Sequence, residues 1–204
     1  MLTIGDKAPA FTLPDQTGAL NDAKSLKGRR YLVYFYPKDS TPGCTVQACG
    51  LQSDLEQFNG LDIAVFGVSM DSVASHRKFA DKYGLAFPLL ADTEKSLIEA
   101  YGVWIEKSMY GRKYMGISRS SFLVDGNGKI QQVWEKVNTK THAGDVLAFI
   151  NGAGTAKPAP KTAAKQSAAS KQAAVVKKAM IVKKPAMKKA PAKKAATKKT
   201  TKKQ

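Results

Sequence analysis

The sequence predicts an α/β protein with a central mixed sheet and helices on both faces, followed by a disordered basic tail. Short apolar runs that suit buried strands alternate with segments of helical periodicity through residues 1–152. A hairpin signal, the DGNG of residues 125–128, follows this alternation and adds antiparallel strands to the parallel ones. The charge then changes abruptly, since all 16 acidic residues precede position 156 while 16 of the 33 basic residues follow position 154.

The elements of the first part are predicted in chain order from their patterns. A buried strand over residues 31–36 leads, through a turn rich in proline, into a helix whose apolar residues recur at helical spacing over 48–58. The dipeptide NG at residues 59–60 ends that helix. The remaining predictions are strands at 61–69, 87–91, 120–124 and 130–137 and helices at 71–83, 93–101 and 141–150, with Asp71 as the N-cap of the second helix.

This order of elements is the pattern of a thioredoxin-like fold over residues 1–152, and the tail, residues 153–204, is predicted as a second region. The chain begins without a basic segment followed by an apolar one, so no signal peptide is predicted, and no apolar run is long enough to span a bilayer. Two cysteines five residues apart are not the disulfide framework of a secreted protein. We therefore expect a cytoplasmic protein without membrane contact, and a monomer is compatible with the sequence.

The tail is predicted to be disordered because it cannot bury enough apolar area to offset the entropy of ordering. Residues 155–204 contain 14 alanines, 16 lysines and no acidic or aromatic residue, and KKPAMKKAPAKKAATKKTTKK resembles the tails of linker histones. Lysine-rich disorder binds polyanions by releasing counterions. We expect non-specific binding of duplex DNA and association with the nucleoid, with RNA, anionic lipid or a solubilising role as alternatives. The lysine pairs are Lys177, Lys178, Lys183, Lys184, Lys188, Lys189, Lys193, Lys194, Lys198, Lys199, Lys202 and Lys203.

The two cysteines of the chain, Cys44 and Cys49, lie directly behind the turn after the first predicted strand, in YFYPKDSTPGCTVQACG. Cys44 opens the predicted helix, where free backbone amides and the helix dipole favour a thiolate. Thr41, one turn earlier, offers a hydroxyl near the same place, and Pro37 ends the strand and can shield the site from water. A thiolate beside hydroxyl and amide donors suits attack on a peroxide O–O bond, from which an oxygen leaves as hydroxide or alkoxide.

Other roles for the cysteines are less favoured. A free cysteine is commonly a small buried hydrophobe, but Pro-Gly-Cys at a strand-to-helix turn is a setting that activates a thiol. Zinc needs about four ligands, and the distant His76 and His142 show no ligand spacing. We expect His76 at the solvated surface and His142 at the surface or in a helix cap. General disulfide exchange is disfavoured because the chain has no C-x-x-C.

Pro37, Thr41 and Cys44, spaced P-x-x-x-T-x-x-C, resemble the active-site signature of peroxiredoxins. The resemblance covers about residues 1–151 and implies a thioredoxin-like fold, a peroxidatic Cys44 and a resolving Cys49. The segments that resemble the bacterioferritin comigratory protein, or peroxiredoxin Q, subgroup are YFYPKDSTPGCTVQAC, GDKAPAFTLPDQTG, YGVW and GISRSSFLVDGNGKI.

The resemblance also implies supporting residues and a reductant. Arg119, within SRSSF, matches the arginine that holds thiolate and peroxide in this family, and Gln47 falls where a Glu or Gln commonly positions that arginine. Cys44 becomes a sulfenic acid, condenses with Cys49 and is restored by thioredoxin or a similar dithiol, with no cofactor. Residues five apart in an ideal helix point about 140° away from each other, so the helix must unwind before the bridge forms.

Two functions compete for the whole chain. The first is a thiol peroxidase of hydrogen peroxide and organic hydroperoxides whose tail keeps it near DNA. The second is a nucleoid-associated DNA-binding protein whose folded domain senses redox state. We favour the first because the sequence contains a full set of peroxidatic residues.

Overall fold

The computed structural model describes residues 1–109 and 111–152, and the predicted tail lies outside the described residues. The strands are, in chain order, β1 (Thr12–Pro14), β2 (Leu20–Asp22), β3 (Arg30–Phe35), β4 (Ile63–Ser69), β5 (Leu89–Ala91), β6 (Trp104–Met109), β7 (Arg112–Ile117), β8 (Ser120–Val124) and β9 (Ile130–Trp134). The helices are α1 (Pro42–Ser53), α2 (Leu55–Gly60), α3 (Val73–Tyr83), α4 (Ser96–Ala100) and α5 (His142–Ile150), with a 3-10 turn at Ala23–Leu26.

A five-stranded sheet in the order β5-β4-β3-β8-β9 forms the centre of the fold. β3 pairs in parallel with β4, and β4 with β5, whereas β8 runs antiparallel to both β3 and β9. From Tyr31 onward β3 is buried on both faces, as its continuous apolar run requires. The predicted thioredoxin-like α/β fold, with a mixed sheet between helices, is confirmed.

Alternate residues of β3 point to opposite faces of the sheet and begin two separate cores. Leu32 and Tyr34 pack with the buried faces of α1, α3 and α5, and Cys44 belongs to this core. Val33 and Phe35 pack with α4 and with the segment before β1. The start of α1 therefore lies over the same face of the sheet as α3 and α5.

Three helix boundaries differ clearly from the prediction, and one of them is the start of α4, which lies at Ser96 and not at residue 93. The chain leaves helical dihedral angles at Asp54 (φ −100°, ψ 8°), which separates the predicted single helix into α1 and α2. Ser72, rather than Asp71, caps α3, and its Oγ accepts a hydrogen bond from Ser75 N at 3.3 Å. The Asp71 carboxylate instead contacts the loop before α1, which a local capping rule cannot predict.

Two antiparallel hairpins, β1–β2 and β6–β7, were absent from the prediction. The first five residues of β7 are exposed or half-exposed, so the strand lacks the alternation of apolar and polar residues that identifies a half-buried strand. The β6–β7 hairpin leads directly to Arg119 and the start of β8.

Both histidines are buried, so the predicted surface position of His76 is wrong. His142, predicted at the surface or in a helix cap, is neither exposed nor the N-cap of its helix, which is Thr141. His76 on α3 is fully buried, and its Nδ1 lies 3.0 Å from the Asp39 carboxylate. His142 opens α5, and its Nε2 lies 2.9 Å from the Ser121 hydroxyl. His76 stands three residues before the core residue Phe79, so the helical repeat turns it towards the sheet. The predicted surface position of His76 followed from its charged neighbours Arg77 and Lys78 and not from its phase on the helix.

We predict that His142 makes the fold sensitive to mild acid. Burial lowers the pKa of His142 from 6.5 to about 4. The unfolded chain therefore takes up this proton at a higher pH than the folded chain. The contribution of the neutral, buried His142 to the free energy of unfolding is complete above pH 6.5. It is lost as the pH falls towards 4, by about 1.4 kcal/mol per pH unit, or about 3 kcal/mol in all.

The measurement is urea unfolding of the wild type and of His142→Gln at about pH 7 and about pH 4.5. The variant removes the titrating group, so its free energy of unfolding should change less between the two conditions than that of the wild type. Equal changes in both proteins would contradict the prediction.

Candidate active site

The candidate site lies where the chain passes from β3 into α1. Pro42 occupies the first helical position, where the missing N–H costs nothing. Thr41 is the N-cap in an extended conformation, and within the described residues its side chain makes no capping bond. The first helical bond runs from Thr45 N to Thr41 O at 2.9 Å, so the amide of Cys44 precedes the hydrogen-bond ladder. Free donors and the positive end of the helix dipole thus stand beside Cys44.

Arg119 supplies a cation to the buried sulfur, as the sequence predicts. Its Nη2 donates a hydrogen bond to Cys44 Sγ at 3.2 Å, across 75 residues of sequence. The sheet brings the two together because Phe35, at the end of β3, pairs with Ser120, at the start of β8. Since β8 is antiparallel to β3, the residue before β8 reaches the place where the chain turns towards Cys44. A hydrogen bond from a charged donor of this kind is stronger than one between neutral groups.

Gly43 allows the guanidinium to approach the helix closely. A Cβ built on Gly43 would lie 3.1 Å from Arg119 Nη2 and 3.3 Å from Nη1, which is tighter than ordinary contact. Any other residue at this position would push the guanidinium away from the sulfur of Cys44. The glycine of the Pro-Gly-Cys sequence is therefore explained by the packing of Arg119.

Thr41 and Pro37 take different positions around the turn. The Thr41 hydroxyl donates to Lys38 O at 3.0 Å, so its proton is engaged and its oxygen can accept a further hydrogen bond. Pro37 follows the buried end of the strand and is exposed. Its predicted role in shielding the site stays a prediction.

Gln47 is buried one turn after Cys44, but it does not hold Arg119 in this structure. Among the described residues, its amide nitrogen and oxygen and the Nε of Arg119 have no hydrogen-bond partner. Arg119 is oriented by the sulfur and by the surface of Gly43 instead. The predicted Gln47–Arg119 hydrogen bond is therefore not part of the described geometry.

Cys49 is half-buried on the same helix, and in the described part of the chain neither thiol is in a disulfide. α1 continues through both cysteines to Ser53, whose Oγ donates to Cys49 O at 2.9 Å. Their side chains therefore point in different directions around one helix, as the spacing of five residues predicts.

Lys107 and Tyr34 lie near the cysteines and were missed by sequence reasoning. Lys107 on β6 donates its Nζ proton to Ile117 O. Burial, followed by the charge of Arg119, lowers the pKa of Lys107, and the sulfur of Cys44 acts in the opposite direction. Burial, followed by the charges of Cys44 and other groups, raises the pKa of Tyr34. Nothing in the sequence identifies either residue, because only the tertiary fold brings them to the site.

Comparison with known proteins agrees with this geometry. The AhpC/TSA family model matches residues 4–133. The chain belongs to the AhpC/TSA family. It is 45% identical over 149 residues to Peroxiredoxin Bcp of Escherichia coli, a match that covers 73% of this chain and 96% of the relative. It is 44% identical over 146 residues to Peroxiredoxin Bcp of Bacillus subtilis, covering 72% and 93%. The peroxiredoxin subgroup recognised in the sequence is thus confirmed.

Solved peroxiredoxin structures share the fold. Peroxiredoxin Q of Xanthomonas campestris matches with a TM-score of 0.67 and 40% identity, over 70% of this chain and 90% of that one. A cysteine-to-serine mutant of PrxQ from Xylella fastidiosa matches with a TM-score of 0.69 and 33% identity, over 75% and 98%. These matches cover 90% and 98% of those chains but only 70% and 75% of this one.

Two further features concern metal binding and membrane-spanning helices. Within residues 1–109 and 111–152, no group of three or more His, Cys, Asp or Glu side chains is placed to hold a metal ion. In the same part of the chain, no helix has the length and apolar character needed to cross a bilayer.

We predict that Gly43→Ala slows the alkylation of Cys44 by iodoacetamide. The added Cβ displaces the guanidinium from the sulfur by a few tenths of an ångström, which weakens the bond that favours the thiolate. Partial loss of a charge-assisted hydrogen bond should lower the rate at neutral pH about threefold to tenfold.

Gly50→Ala is the matched control, because Gly50 lies on the same helix and a Cβ there meets nothing within 4 Å. Both variants should carry Cys49→Ser so that only Cys44 reacts. Equal alkylation rates in the Gly43 and Gly50 variants would show that the close approach of Arg119 does not govern the reactivity of the thiol.

Proposed function

We propose that this peroxiredoxin reduces hydrogen peroxide and organic hydroperoxides through a Cys44 sulfenic acid and a Cys44–Cys49 disulfide, which thioredoxin or a similar dithiol reduces. The observation that carries the proposal is the hydrogen bond from Arg119 to the Cys44 sulfur at the start of α1. A thiolate held by a cation and by free helix amides is the nucleophile that O–O cleavage requires.

In the first step the Cys44 thiolate attacks the terminal oxygen of the peroxide. An S–O bond forms, the O–O bond breaks, and the second oxygen leaves as hydroxide or alkoxide and takes up a proton. Arg119 can stabilise both the thiolate and the negative charge on the departing oxygen. Thr41 can accept the peroxide O–H because its own proton is bound to Lys38 O. These contacts orient the O–O bond for attack.

In the second step Cys49 attacks the sulfenic sulfur, an S–S bond forms, and water leaves. A disulfide needs Cα atoms within about 7 Å, whereas residues five apart in a helix are separated by roughly 8–9 Å. The start of α1 must therefore unwind. Its sequence favours this, because Gly43 and Gly50 are poor helix formers and the N-cap makes no side-chain bond in the described structure.

In the third step an external dithiol reduces the disulfide by thiol exchange. Thioredoxin is the reductant that the family resemblance favours. Organic hydroperoxides are included as substrates because the Xanthomonas campestris bacterioferritin comigratory protein, 39% identical with a TM-score of 0.67, has alkyl peroxide reduction activity.

The tail supports a second property, non-specific binding of DNA. Residues 155–204 carry 16 lysines and no acidic residue, and the match to Peroxiredoxin Bcp of Escherichia coli covers 149 residues, or 73% of the chain. The sequence contains no aromatic residue there, so stacking on single-stranded bases is disfavoured. We propose that the protein acts in the cytoplasm at the nucleoid and removes peroxide beside DNA.

The alternative is a nucleoid-associated DNA-binding protein whose folded domain senses redox state. The concentration of lysines in residues 155–204 also favours this alternative. It differs from the first proposal in turnover, because a sensor needs to be oxidised once and a peroxidase must consume peroxide repeatedly with its reductant.

We predict that Cys44→Ser abolishes peroxide consumption, since an alcohol in that position supplies no thiolate. Cys49→Ser should react with one equivalent of peroxide and then accumulate the sulfenic acid. The measurement is peroxide consumption with thioredoxin, thioredoxin reductase and NADPH, followed by mass spectrometry of the protein. Repeated turnover by the Cys44 variant would refute the assignment of the nucleophile, and a single turnover by the wild type would favour the sensor.

We predict that a chain ending at Gly152 keeps its peroxidase rate and loses DNA binding. The residues proposed for catalysis all precede this position, whereas the 16 lysines follow it. If 6–10 lysines contact phosphates, the affinity of the full chain should fall about 10³–10⁵-fold between 50 and 200 mM salt.

Replacement of the paired tail lysines by glutamine keeps the chain length and serves as the control. Binding is measured by fluorescence anisotropy with a labelled duplex at several salt concentrations. Salt-insensitive binding, or full affinity in the truncated chain, would contradict the proposed role of the tail.

A further inference from the structure

A buried polar cluster joins the loop before α1 to the helix α3. We call it the Asp39 cluster; it consists of Tyr36, Asp39, Asp71, Ser75 and His76. The Asp39 carboxylate accepts hydrogen bonds from Tyr36 Oη at 2.8 Å and from Ser75 Oγ at 2.7 Å. His76 Nδ1 lies 3.0 Å from the same carboxylate. Asp39 is 7% exposed and His76 is fully buried, so water has little access to these two residues, whereas Asp71 and Ser75 are half-exposed.

His76 has a polar neighbour at each ring nitrogen. Nδ1 faces the Asp39 carboxylate, and Nε2 lies 3.2 Å from Leu90 O. Burial alone would raise the pKa of Asp39, but the hydrogen bonds from His76, Ser75 and Tyr36 hold it below its ordinary value. Asp39 and His76 therefore form a buried, hydrogen-bonded pair.

Asp39 is also held through its backbone. Its amide donates to Asp71 Oδ2 at 2.8 Å, and the same oxygen accepts a hydrogen bond from Ser69 Oγ at 2.8 Å. Ser69 is the last residue of β4. Hydrogen bonds through Asp71 and Ser75 thus connect Asp39 to the end of β4 and to α3.

The backbone of Ser40, which follows Asp39, is strained. Ser40 has φ 57°, in the left-handed region that residues other than glycine seldom adopt. Such a conformation persists only when the surroundings hold it. Ser40 lies between Asp39 and Thr41, and the Thr41 hydroxyl donates to the carbonyl of Lys38, immediately before Asp39. Fixing Asp39 therefore fixes both the strained residue and the acceptor that orients the Thr41 hydroxyl.

A buried pair of ionisable groups is weak evidence for stability, because apolar residues of the same volume often stabilise a protein as much. Neither member of this pair contacts the sulfur in the described structure. The geometry indicates instead that Asp39 and His76 fix the position of the loop that carries Thr41.

We propose that Asp39 and His76 are positioning residues for peroxide attack. They hold residues 38–41 so that the Thr41 hydroxyl presents its oxygen to the peroxide beside Cys44. The inference rests on the proposed peroxidase function and deepens it, since it separates the reactivity of the thiol, which depends on Arg119, from the orientation of the peroxide, which depends on the loop.

Asp39→Asn tests the proposal in the full chain. The amide keeps the shape of the side chain but loses the charge that pairs with His76 and places an N–H among donors. The second-order rate constant for oxidation of Cys44 by hydrogen peroxide, measured by stopped flow, should fall about tenfold or more because the peroxide is misaligned. Alkylation of Cys44 by iodoacetamide needs the thiolate but no aligned peroxide, so its rate should stay within about twofold.

Asp92→Asn is the matched control. Asp92 is also a buried carboxylate, and it accepts hydrogen bonds from Ser96 Oγ and from the amides of Leu97 and Ile98 at the start of α4. Because α4 packs on the other face of the sheet, this variant should lower stability and leave both rates of Cys44 unchanged. His76→Gln should reproduce the Asp39→Asn rates, and the double variant should be no slower than either single one, since both act through one pair.

Ser75→Ala keeps the test decisive if Asp39→Asn does not fold. It removes one donor to the Asp39 carboxylate from a half-exposed position, and it should lower the peroxide rate about threefold with no change in alkylation. A folded Asp39→Asn or Ser75→Ala protein with the wild-type peroxide rate would overturn the proposal, as would equal losses in peroxide and alkylation rates. A wild type that does not react with peroxide would instead refute the proposed function itself.

Discussion

The hydrogen bond from Arg119 Nη2 to the sulfur of Cys44 is the interaction on which the rest of the site depends. It exists because β8 enters the sheet antiparallel to β3, with Ser120 opposite Phe35. This pairing delivers a cation to the start of α1, where the backbone amides are still free. The Gly43 backbone then lets the guanidinium lie against the helix. The sheet register, the start of α1 and Gly43 all contribute to this one contact, which is the basis of the nucleophilic role proposed for Cys44.

The site combines a fixed part with a part that must change. The loop before α1 is attached by the Asp39 cluster to β4 and α3, and a strained Ser40 follows it. The first turns of α1 have two glycines and no side-chain cap in the described structure, and they must unwind before Cys49 can reach Cys44. In the proposed cycle, peroxide attack uses the ordered state, whereas formation of the Cys44–Cys49 disulfide requires the unwound one. In the role proposed for the Asp39 cluster, the anchored loop keeps the position of Thr41 while α1 unwinds and re-forms.

The sequence predicted the parts of the site that depend on local order. The strand, turn and helix around Cys44 follow from apolar runs and from turn residues, and the family resemblance identified Arg119. The buried His76 was placed at the surface, because its contact with Asp39 joins residues 37 positions apart and leaves no local pattern. The Gln47 amide has no hydrogen-bond partner among the described residues, so the positioning of Arg119 by Gln47 that the resemblance implies stays a prediction. Patterns of neighbouring residues predict elements well and side-chain partners across the sheet poorly.

The most direct test of this account is the reaction of Arg119→Met with peroxide. The measurement is the second-order rate constant for oxidation of Cys44 by hydrogen peroxide, by stopped flow, in the full chain with the fold checked by circular dichroism. Loss of a donor that stabilises both thiolate and leaving oxygen should lower this constant about 10²-fold or more. A folded Arg119→Met variant that reacts at the wild-type rate would contradict the account.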